Sequence, residues 1–196
     1  MKKIPTLFER KFENHRVMGV TEKVMPGYEW VLQGEGTATV KIDGTCCMIK
    51  DGQLYKRYDA KFGKIPPAGA IPCCDPDPVT GHWPHWVKCD RNEKDERWIW
   101  EAYDSTNYSV EECLLRDGTY EAIGRNINGN PYHLIGHELV RHGDTVIHEL
   151  DGERTFEKIR AWLMLCSEEG IVFWKDGEPQ CKIKRRDFGF PWPIQQ

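Results

Sequence analysis

Lys41 begins the first group of residues whose types and spacing could carry chemistry. It follows Thr37–Val40, a run rich in β-branched residues that predicts a strand. It precedes Asp43-Gly44, a pair typical of tight turns. A lysine at the end of a strand presents its amine where a ligand can approach. Taken alone, the four residues KIDG are more typical of a hairpin with a solvated lysine than of a functional site.

Two carboxylates and a pair of lysines follow later in the chain. Glu121 lies among the apolar residues of a predicted strand, and Glu169 stands where a predicted helix gives way to another strand. Lys182 and Lys184 are two residues apart in a third predicted strand, so their ammonium groups share one face. Each carboxylate by itself also fits an exposed strand residue.

Together these groups are suited to attack by a lysine on the α-phosphate of a nucleotide. A lysine amine can act as a nucleophile and form a covalent intermediate. The lysine pair can neutralise the phosphate, while one carboxylate holds a metal ion and the other accepts ribose hydroxyls. Four such elements in this order are much less expected by chance than any one of them alone.

The elements that must position these residues are mostly predicted strands. Residues 28–62 have the composition of β structure, and Asp51-Gly52 and Asp176-Gly177 mark turns between neighbouring strands. Residues 155–166 have apolar side chains at helical spacing and predict a helix. These elements predict an α+β fold of antiparallel sheets with few helices. The predicted strands cover residues 37–40, 46–49, 53–58, 97–103, 118–124, 170–174 and 180–184.

Residues 63–92 are rich in proline, which disfavours a helix or a central strand. We therefore predict an ordered loop or insertion in this segment. It also contains potential zinc ligands, namely Cys73, Cys74, His82, His85 and Cys89. Their spacing matches no standard zinc finger, so a loop of aromatic residues packed by its prolines is preferred, with a zinc site as the alternative.

The charge of the whole chain provides no broad attraction for nucleic acid. The 196 residues have a net charge of −4 and a pI of about 6.0. Nucleic acid would therefore be bound by local patches, of which residues 182–186, KIKRR, are the clearest. A run of this kind is also typical of a solvated basic turn or tail.

The expected location is inside the cell. The first residues lack the apolar stretch of a signal peptide, and no apolar run approaches the length that spans a bilayer. The eight cysteines include no Cys-x-x-Cys pair. We therefore expect a soluble, cytoplasmic protein with reduced thiols and no membrane partner.

The order KIDG, YEAIG, EGIVF and KIKR resembles the covalent nucleotidyltransferase superfamily of ATP-dependent ligases and mRNA capping enzymes. Within that superfamily, KIDGTCC, EEGIVFW and CKIKRRDFG are similar to the small 5′-to-3′ RNA ligase 1 family, and the similarity runs over roughly residues 31–188. The resemblance implies one nucleotidyltransferase domain over residues 1–196, an ATP-grasp-like adenylation domain. It also implies ATP as substrate, Mg²⁺ or Mn²⁺ as cofactor, and RNA ends as partners.

The resemblance assigns the covalent step to Lys41, which would form a lysyl-AMP phosphoramide. Asp43 and Gly44 belong to the same motif and would shape its turn. Glu121 would hold the ribose of the nucleotide. Glu169 would bind the metal ion, either directly or through water.

Phosphate, adenine and RNA contacts are assigned in the same way. Lys182 and Lys184 would contact the α-phosphate and help to expel pyrophosphate. Tyr132 is the candidate for stacking on adenine, and Arg57 is the candidate for touching the ribose or the 5′-phosphate of RNA. Two arginines of the basic run are expected to contact RNA, Arg185 and Arg186.

Two departures from the superfamily pattern bear on the substrate. Many RNA ligases have a glutamate immediately before the nucleophile, where this chain has Val40. Only about a dozen residues follow Lys184, too few for the OB domain of DNA ligases and capping enzymes, so we expect an adenylation domain without an OB domain.

The expected function is therefore that of an ATP-dependent RNA ligase, with a role in RNA repair. It would join 5′-phosphate and 3′-hydroxyl RNA ends through lysyl-AMP on Lys41 and an adenylylated RNA 5′ end. Two alternatives stay open. One is a DNA ligase or another nucleotidyltransferase with a different acceptor, and the other is a non-catalytic protein that binds RNA ends.

Overall fold

Strands dominate the structure, a computed structural model that describes residues 3–14, 16–61, 63–108 and 115–194. The strands in these ranges are β1 (Phe8–Glu13), β2 (Arg16–Val24), β3 (Thr37–Lys41), β4 (Thr45–Lys50), β5 (Gln53–Ala60), β6 (Ile71–Pro72), β7 (Trp83–Lys88), β8 (Gly118–Gly124), β9 (His137–Arg141), β10 (Gly170–Lys175) and β11 (Glu178–Lys184). The α-helices in the same ranges are α1 (Arg97–Tyr108) and α2 (Phe156–Leu165). Antiparallel sheets with few helices confirm the predicted α+β class. Neither helix has the length and apolar character needed to cross a membrane.

The chain divides into two compact units. The first unit contains Lys3 and Asp43–His142, and the second contains Ile4–Ile42 and residues 143–194. One boundary falls between Ile42 and Asp43, inside the KIDG motif. The prediction of a single adenylation domain over residues 1–196 stays a prediction.

A six-stranded sheet forms the first unit, in the order β6-β7-β5-β4-β8-β9. Helix α1 packs against β8 and β9. Alternate residues of the central strands, including Cys47 on β4 and Tyr120 and Ala122 on β8, are buried in the core. Because side chains alternate along a strand, the intervening Cys46 and Glu121 lie on the other face of the sheet.

A three-stranded sheet in the order β11-β10-β3 is the centre of the second unit, which also contains the hairpin β1-β2. Ile171 and Phe173 of β10 are fully buried, as is Ile183 of β11. They pack with apolar residues of helix α2. That helix begins after Thr155, whose side chain accepts a hydrogen bond from the Lys158 backbone N–H at 3.1 Å, as an N-cap residue does.

Several local predictions are confirmed by the structure. Helix α2 falls within the predicted residues 155–166, and the predicted strand at 118–124 is β8. The two predicted strands at 170–174 and 180–184 are β10 and β11, which pair across Asp176-Gly177. These segments have clear hydrophobic periodicity, which is why their types follow from sequence.

The strand predicted at residues 97–103 is wrong, because these residues belong to helix α1. Alternation would have placed Trp98, Trp100 and Ala102 on one face. Instead Ile99 and Ala102, three residues apart, are buried together in the core. A segment of seven residues is too short for the spacing of its apolar side chains to distinguish a strand, with a period of 2, from a helix, with a period of 3.6.

The proline-rich segment 63–92 is a loop only in part. Strand β6 and strand β7 lie within it, and β7 pairs with β5 as well as with β6. Pro84 is buried in β7, which stands second from the edge of the sheet. Among the potential zinc ligands there, His85 is buried with its Nδ1 2.9 Å from the Trp83 carbonyl oxygen. The region 28–62 also departs from pure β structure, since Glu29–Val31 is a 3₁₀ turn.

Candidate functional site

Three of the predicted site residues meet at one end of the three-stranded sheet in the second unit. Gly170, the first residue of the central strand β10, is in register with Lys41 at the end of β3. On its other side Gly170 is in register with Lys184 at the end of β11. Glu169 immediately precedes Gly170, so strand pairing delivers one carboxylate between two lysines.

The carboxylate of Glu169 contacts both ammonium groups. Lys41 Nζ donates to one carboxylate oxygen, and Lys184 Nζ donates to the other at 2.5 Å. The side chain of Glu169 is 7% exposed, against 19% for Lys41 and 31% for Lys184. Lys41 Nζ also lies 3.3 Å from the carbonyl oxygen of Ile42. We call Lys41, Glu169 and Lys184 the Glu169 group.

Gly170 is required by the closeness of its neighbours. A Cβ atom at this position would lie 2.3 Å from the Ile183 carbonyl oxygen and 3.0 Å from the Lys184 Cα. Backbone atoms cannot move aside as a flexible side chain can. The Glu-Gly pair in EGIVF therefore has a physical reason, since the glycine lets β11 approach and the glutamate supplies the charge.

Charge is the main property of the Glu169 group. One carboxylate faces two ammonium groups, so the three side chains of the Glu169 group together have a net positive charge. Partly buried cations of this kind are suited to bind phosphate oxygens. A nearly buried carboxylate would be destabilising without cationic partners, which explains why both lysines turn towards it.

Lys182 lies two residues before Lys184 on β11, as predicted, and is half-buried. Its backbone pairs with the N-terminal segment, donating to the Pro5 carbonyl at 2.9 Å and accepting from the Leu7 N–H at 2.8 Å. The alternation along β11 leaves Lys182 and Lys184 on one face, while Ile183 points into the core.

Arg185 is 5% exposed and belongs to the interior of the second unit, in contrast to its predicted place in an RNA-binding run. Its guanidinium donates to the carbonyl oxygens of Leu163, Cys166 and Pro191. These bonds tie the end of α2 to the segment after β11. A buried arginine of this kind supports the fold and does not present its charge to a nucleic acid.

Arg186, the other predicted RNA contact, is exposed. Its Nε donates to the Trp192 carbonyl oxygen at 3.1 Å, which holds the side chain in a defined direction. Of the two arginines, only Arg186 keeps a surface position compatible with the prediction.

The Asp43-Gly44 turn lies in the first unit, where side chains from a single loop hold it. The Asp43 N–H donates to the hydroxyl of Tyr132 at 2.8 Å. Asn128 Nδ2 donates to the Gly44 carbonyl oxygen at 2.6 Å and to the Asp43 carboxylate at 3.2 Å. Tyr132 therefore supports the turn through its hydroxyl, and its predicted stacking on adenine stays a prediction.

Glu121 projects from β8 beside this turn. The Gly44 N–H donates to its Oε1 at 3.2 Å, and His142 Nε2 lies 2.8 Å from its Oε2. Gly44 must be glycine because a Cβ there would lie 2.2 Å from the Ala122 carbonyl oxygen and 2.9 Å from Glu121 Cγ. We call Gly44, Glu121, Asn128 and His142 the Glu121 group.

Cys46 is the register partner of Glu121 on β4. Burial, followed by the charge of Glu121, raises the pKa of the Cys46 thiol to about 12, so the thiol is neutral. In the described part of the chain, Cys46, Glu121 and His142 form the one group of three whose ligand atoms lie within 4.8 Å of one another. Sulfur and imidazole donors suit zinc-like ions and do not suit Mg²⁺. His142 and Glu121 already contact each other directly, so each of these two side chains has a hydrogen-bond partner without an ion.

Arg57 lies on β5, next to β4 in the same sheet. Its Nε donates to Asp59 Oδ1 at 2.8 Å, and its side chain is 18% exposed. Its charge acts on Cys46, whose pKa it lowers against the larger effect of burial. Arg57 thus faces the same region as Glu121, and its predicted contact with ribose or RNA stays a prediction.

Two residues of the Glu121 group were not predicted from sequence. Asn128 belongs to a polar loop, NINGN, whose composition indicates only turns. His142 is one of seven histidines, and nothing in its neighbours distinguishes it. Their roles depend on partners 84 and 21 residues away in the chain, respectively.

Comparison with known proteins agrees with these motifs. A family model described as RNA ligase 1 matches residues 108–196, a stretch that contains Glu121, Glu169, Lys182 and Lys184. The chain is also similar to "RNA ligase 1" of Danio rerio, with 27% identity over 226 residues that cover 80% of this chain and 68% of the relative. The proteins of the same name from Pongo abelii and Rattus norvegicus are each 28% identical over 225 residues, with the same coverage.

The antiparallel sheets and few helices agree with the α+β class that the resemblance implies. The family model and the curated relatives together support the RNA ligase 1 family for this chain, which confirms the resemblance predicted from its motifs.

Proposed function

We propose that this protein is an ATP-dependent RNA ligase that joins 5′-phosphate and 3′-hydroxyl RNA ends. The observation that carries the proposal is the Glu169 group, in which the motif lysine Lys41 shares one carboxylate with Lys184. The names of the relatives support RNA as the acceptor.

In the first step, the Lys41 ammonium loses a proton to solvent, and its neutral Nζ attacks the α-phosphorus of ATP. A nitrogen–phosphorus bond forms, the bond from the α-phosphorus to the bridging oxygen breaks, and pyrophosphate leaves with the electron pair. Lys184 and Lys182 would bind phosphate oxygens and stabilise the charge that develops there. The resemblance assigns the ribose to Glu121.

The carboxylate oxygens of Glu169 are donors of the type that a hard divalent cation prefers. Mg²⁺ and Mn²⁺ favour carboxylate oxygen, and Mg²⁺ is commonly held by one or two carboxylates together with substrate phosphates. Glu169 would therefore hold the ion jointly with the triphosphate, in competition with the two lysines that contact it now. The bound ion would supply charge stabilisation at the phosphate.

The next two steps use the RNA ends. The 5′-phosphate of RNA attacks the phosphorus of lysyl-AMP, so that the nitrogen–phosphorus bond breaks and AMP becomes joined to the RNA end. The 3′-hydroxyl of a second end then loses its proton to solvent and attacks the RNA phosphorus, and AMP leaves as the new phosphodiester forms. Arg186 is exposed and would contribute to holding RNA.

The decisive experiment is incubation with α-labelled ATP and Mg²⁺ or Mn²⁺, followed by denaturing electrophoresis and mass spectrometry. The wild-type protein should gain one AMP, and Lys41→Met should gain none. Lys175→Met is the matched control, because Lys175 lies at the far end of β10 and pairs with Glu35 at 2.6 Å. An adduct that persists in Lys41→Met would overturn the choice of nucleophile.

The acceptor is tested with matched RNA and DNA oligonucleotides that carry 5′-phosphates, with enzyme in excess. We expect RNA ends to be joined and all-DNA strands to react much less. Efficient sealing of nicked DNA with little RNA product would favour a DNA ligase, while labelling by GTP alone would favour a capping enzyme. RNA binding with no covalent AMP would favour a non-catalytic protein.

A further inference from the structure

His142 is the residue of the Glu121 group that contacts the Glu121 carboxylate directly and that neither the motifs nor the proposed function uses. It directly follows β9, and its backbone N–H donates to the Thr119 carbonyl oxygen at 3.0 Å, which extends the β8–β9 pairing by one residue. Its side chain is 15% exposed and that of Glu121 is 12% exposed, so both stand at the edge of solvent. The fold therefore fixes the backbone from which this imidazole projects.

Both ring nitrogens of His142 have partners on β8. Nε2 lies 2.8 Å from Glu121 Oε2, and Nδ1 lies 3.0 Å from Thr119 Oγ1. An ionised carboxylate only accepts hydrogen bonds, so Nε2 must carry the proton. Nδ1 then accepts from the Thr119 hydroxyl in the neutral ring, or donates to it in the charged ring. The hydroxyl serves either state because it can donate or accept.

These contacts determine which way the Glu121 carboxylate points. Gly44 N–H donates to one oxygen and His142 to the other, so rotation of the carboxylate would break at least one bond. An ionised carboxylate has about four lone-pair sites. With two occupied, about two stay available for hydroxyl donors of a ligand.

We propose that His142 is a positioning residue for Glu121, and that the orientation it imposes determines how strongly the protein selects a nucleotide with intact ribose hydroxyls. The inference rests on the proposed function only in taking the ribose as the partner of Glu121. Residues that orient an acceptor in this way commonly act through a chain of hydrogen bonds, here Thr119 to His142 to Glu121. A group built to bind a hydroxyl discriminates against the analogue that lacks it, provided that its acceptor is held in place.

The experiment measures binding of AMP, 2′-deoxy-AMP and 3′-deoxy-AMP by calorimetry, which requires no catalysis. Wild type should prefer AMP over at least one deoxy analogue. His142→Ala should reduce that preference by on the order of tenfold, the scale of one hydrogen bond to a charged group. His142→Gln should restore part of the preference, because its side-chain amide can still donate to Glu121.

Glu121→Ala and the double variant Glu121→Ala/His142→Ala complete the comparison. If His142 acts through Glu121, the double variant should discriminate no less than Glu121→Ala alone. His148→Ala is the matched control, since His148 is exposed and its Nδ1 lies 3.0 Å from the Asp151 carboxylate, outside the Glu121 group. A merely structural loss in His142→Ala would weaken all three nucleotides alike and leave the preference unchanged, which would overturn the inference.

The lysyl-AMP assay is run beside the binding measurements. Hydroxyl selection that depends on His142, together with no lysyl-AMP in wild type, would leave this inference standing and reject the proposed function. Lysyl-AMP with the same hydroxyl preference in wild type and His142→Ala would do the reverse. Zinc that wild type retains through dialysis and that both Cys46→Ser and His142→Ala lose would identify the cluster as a metal site and overturn the positioning role.

Discussion

The Glu169 group and the Glu121 group each contain a carboxylate beside a glycine, yet they hold that carboxylate in different ways. Glu169 is held by two charged, flexible side chains, Lys41 and Lys184. Glu121 is held by a backbone N–H and an imidazole, whose positions the sheet fixes. In both groups a strand end or turn approaches so closely that only glycine fits.

This difference indicates different uses of the two carboxylates. Lysine side chains have many rotamers and can leave Glu169 for a phosphate without disturbing the backbone. Glu121 is held by the Gly44 backbone N–H and by an imidazole whose other nitrogen contacts Thr119, so that carboxylate keeps one direction. Glu169 is thus suited to a step in which charges are exchanged, and Glu121 is suited to recognising a fixed shape.

The largest expected effect is on the Glu169 group. Glu169→Gln removes the charge that two ammonium groups share, and it removes the proposed metal ligand. We expect lysyl-AMP formation to slow by about 10² to 10³, the usual cost of losing one preorganised electrostatic contact. The check is a single-turnover rate across a Mg²⁺ titration.

Glu168→Gln is the matched control for this prediction. It changes the neighbouring carboxyl group, whose pKa is raised mainly by burial, and makes the same chemical change one residue away. Similar adenylylation rates and similar Mg²⁺ titrations in both variants would mean that Glu169 does not belong to the site, and the contrast between the two carboxylate groups would no longer hold.

The two glycines test whether both groups depend on close backbone approach. Gly170→Ala and Gly44→Ala would each place a methyl group against a backbone carbonyl oxygen, at 2.3 Å and 2.2 Å respectively. We expect a loss of about 1–3 kcal/mol in the free energy of unfolding for each variant, as is typical of overpacking. Urea denaturation followed by circular dichroism provides the measurement.

Gly136→Ala serves as the reference variant, because a Cβ there has no atom within 4 Å. Its free energy of unfolding should stay within about 0.5 kcal/mol of the wild-type value. An equal loss in all three variants would mean that the effect comes from glycine in general and not from the two sites.

A smaller effect is expected from loss of the hydrogen bonds that Asn128 donates to the Asp43-Gly44 turn. Asn128→Gly removes the hydrogen bonds to Gly44 and Asp43 at an exposed position, and glycine adopts the φ of 46° found there without strain. We expect adenylylation to slow about tenfold, since the net contribution of a hydrogen bond is about 0.5–1.5 kcal/mol and a little more when one partner is charged. Thermal stability should change little.

Asn126→Ala, in the same loop, is the control and should leave the adenylylation rate unchanged. If the Asn128 variant loses as much free energy of unfolding as it loses in activation free energy, Asn128 has a general structural role.

The smallest effect concerns Arg186. Arg186→Ala should reduce end joining a few-fold and leave lysyl-AMP formation unchanged, because the side chain is exposed and outside both carboxylate groups. If Arg186 neutralises one phosphate, the slope of log K against log salt should become shallower by about 0.7 for single strands. Arg160→Ala provides the control, because Arg160 is an arginine on α2 whose side chain is 43% exposed. An unchanged salt slope would mean that RNA is held elsewhere.

Sequence predicted several elements because their signals are local. The β-branched run before Lys41, the glycine after Glu169 and the apolar spacing of α2 each lie within a dozen residues, and each fixes an element and its end. The order of the motifs was enough to indicate a nucleotidyltransferase and an RNA ligase family. The helix at residues 97–108 was missed because a short aromatic pattern fits two periods.

The partners of each side chain depended on the tertiary structure. Arg185 stands in a basic run whose composition indicates an exposed surface, but the turn after β11 directs it inward to three carbonyl oxygens. His142 reaches Glu121 only because β8 and β9 pair in one register, and a shift of one residue would send it to the other face. Sequence determined which chemical groups are present and at which strand ends, whereas strand register determined which of them touch, because register depends on residues far apart in the chain.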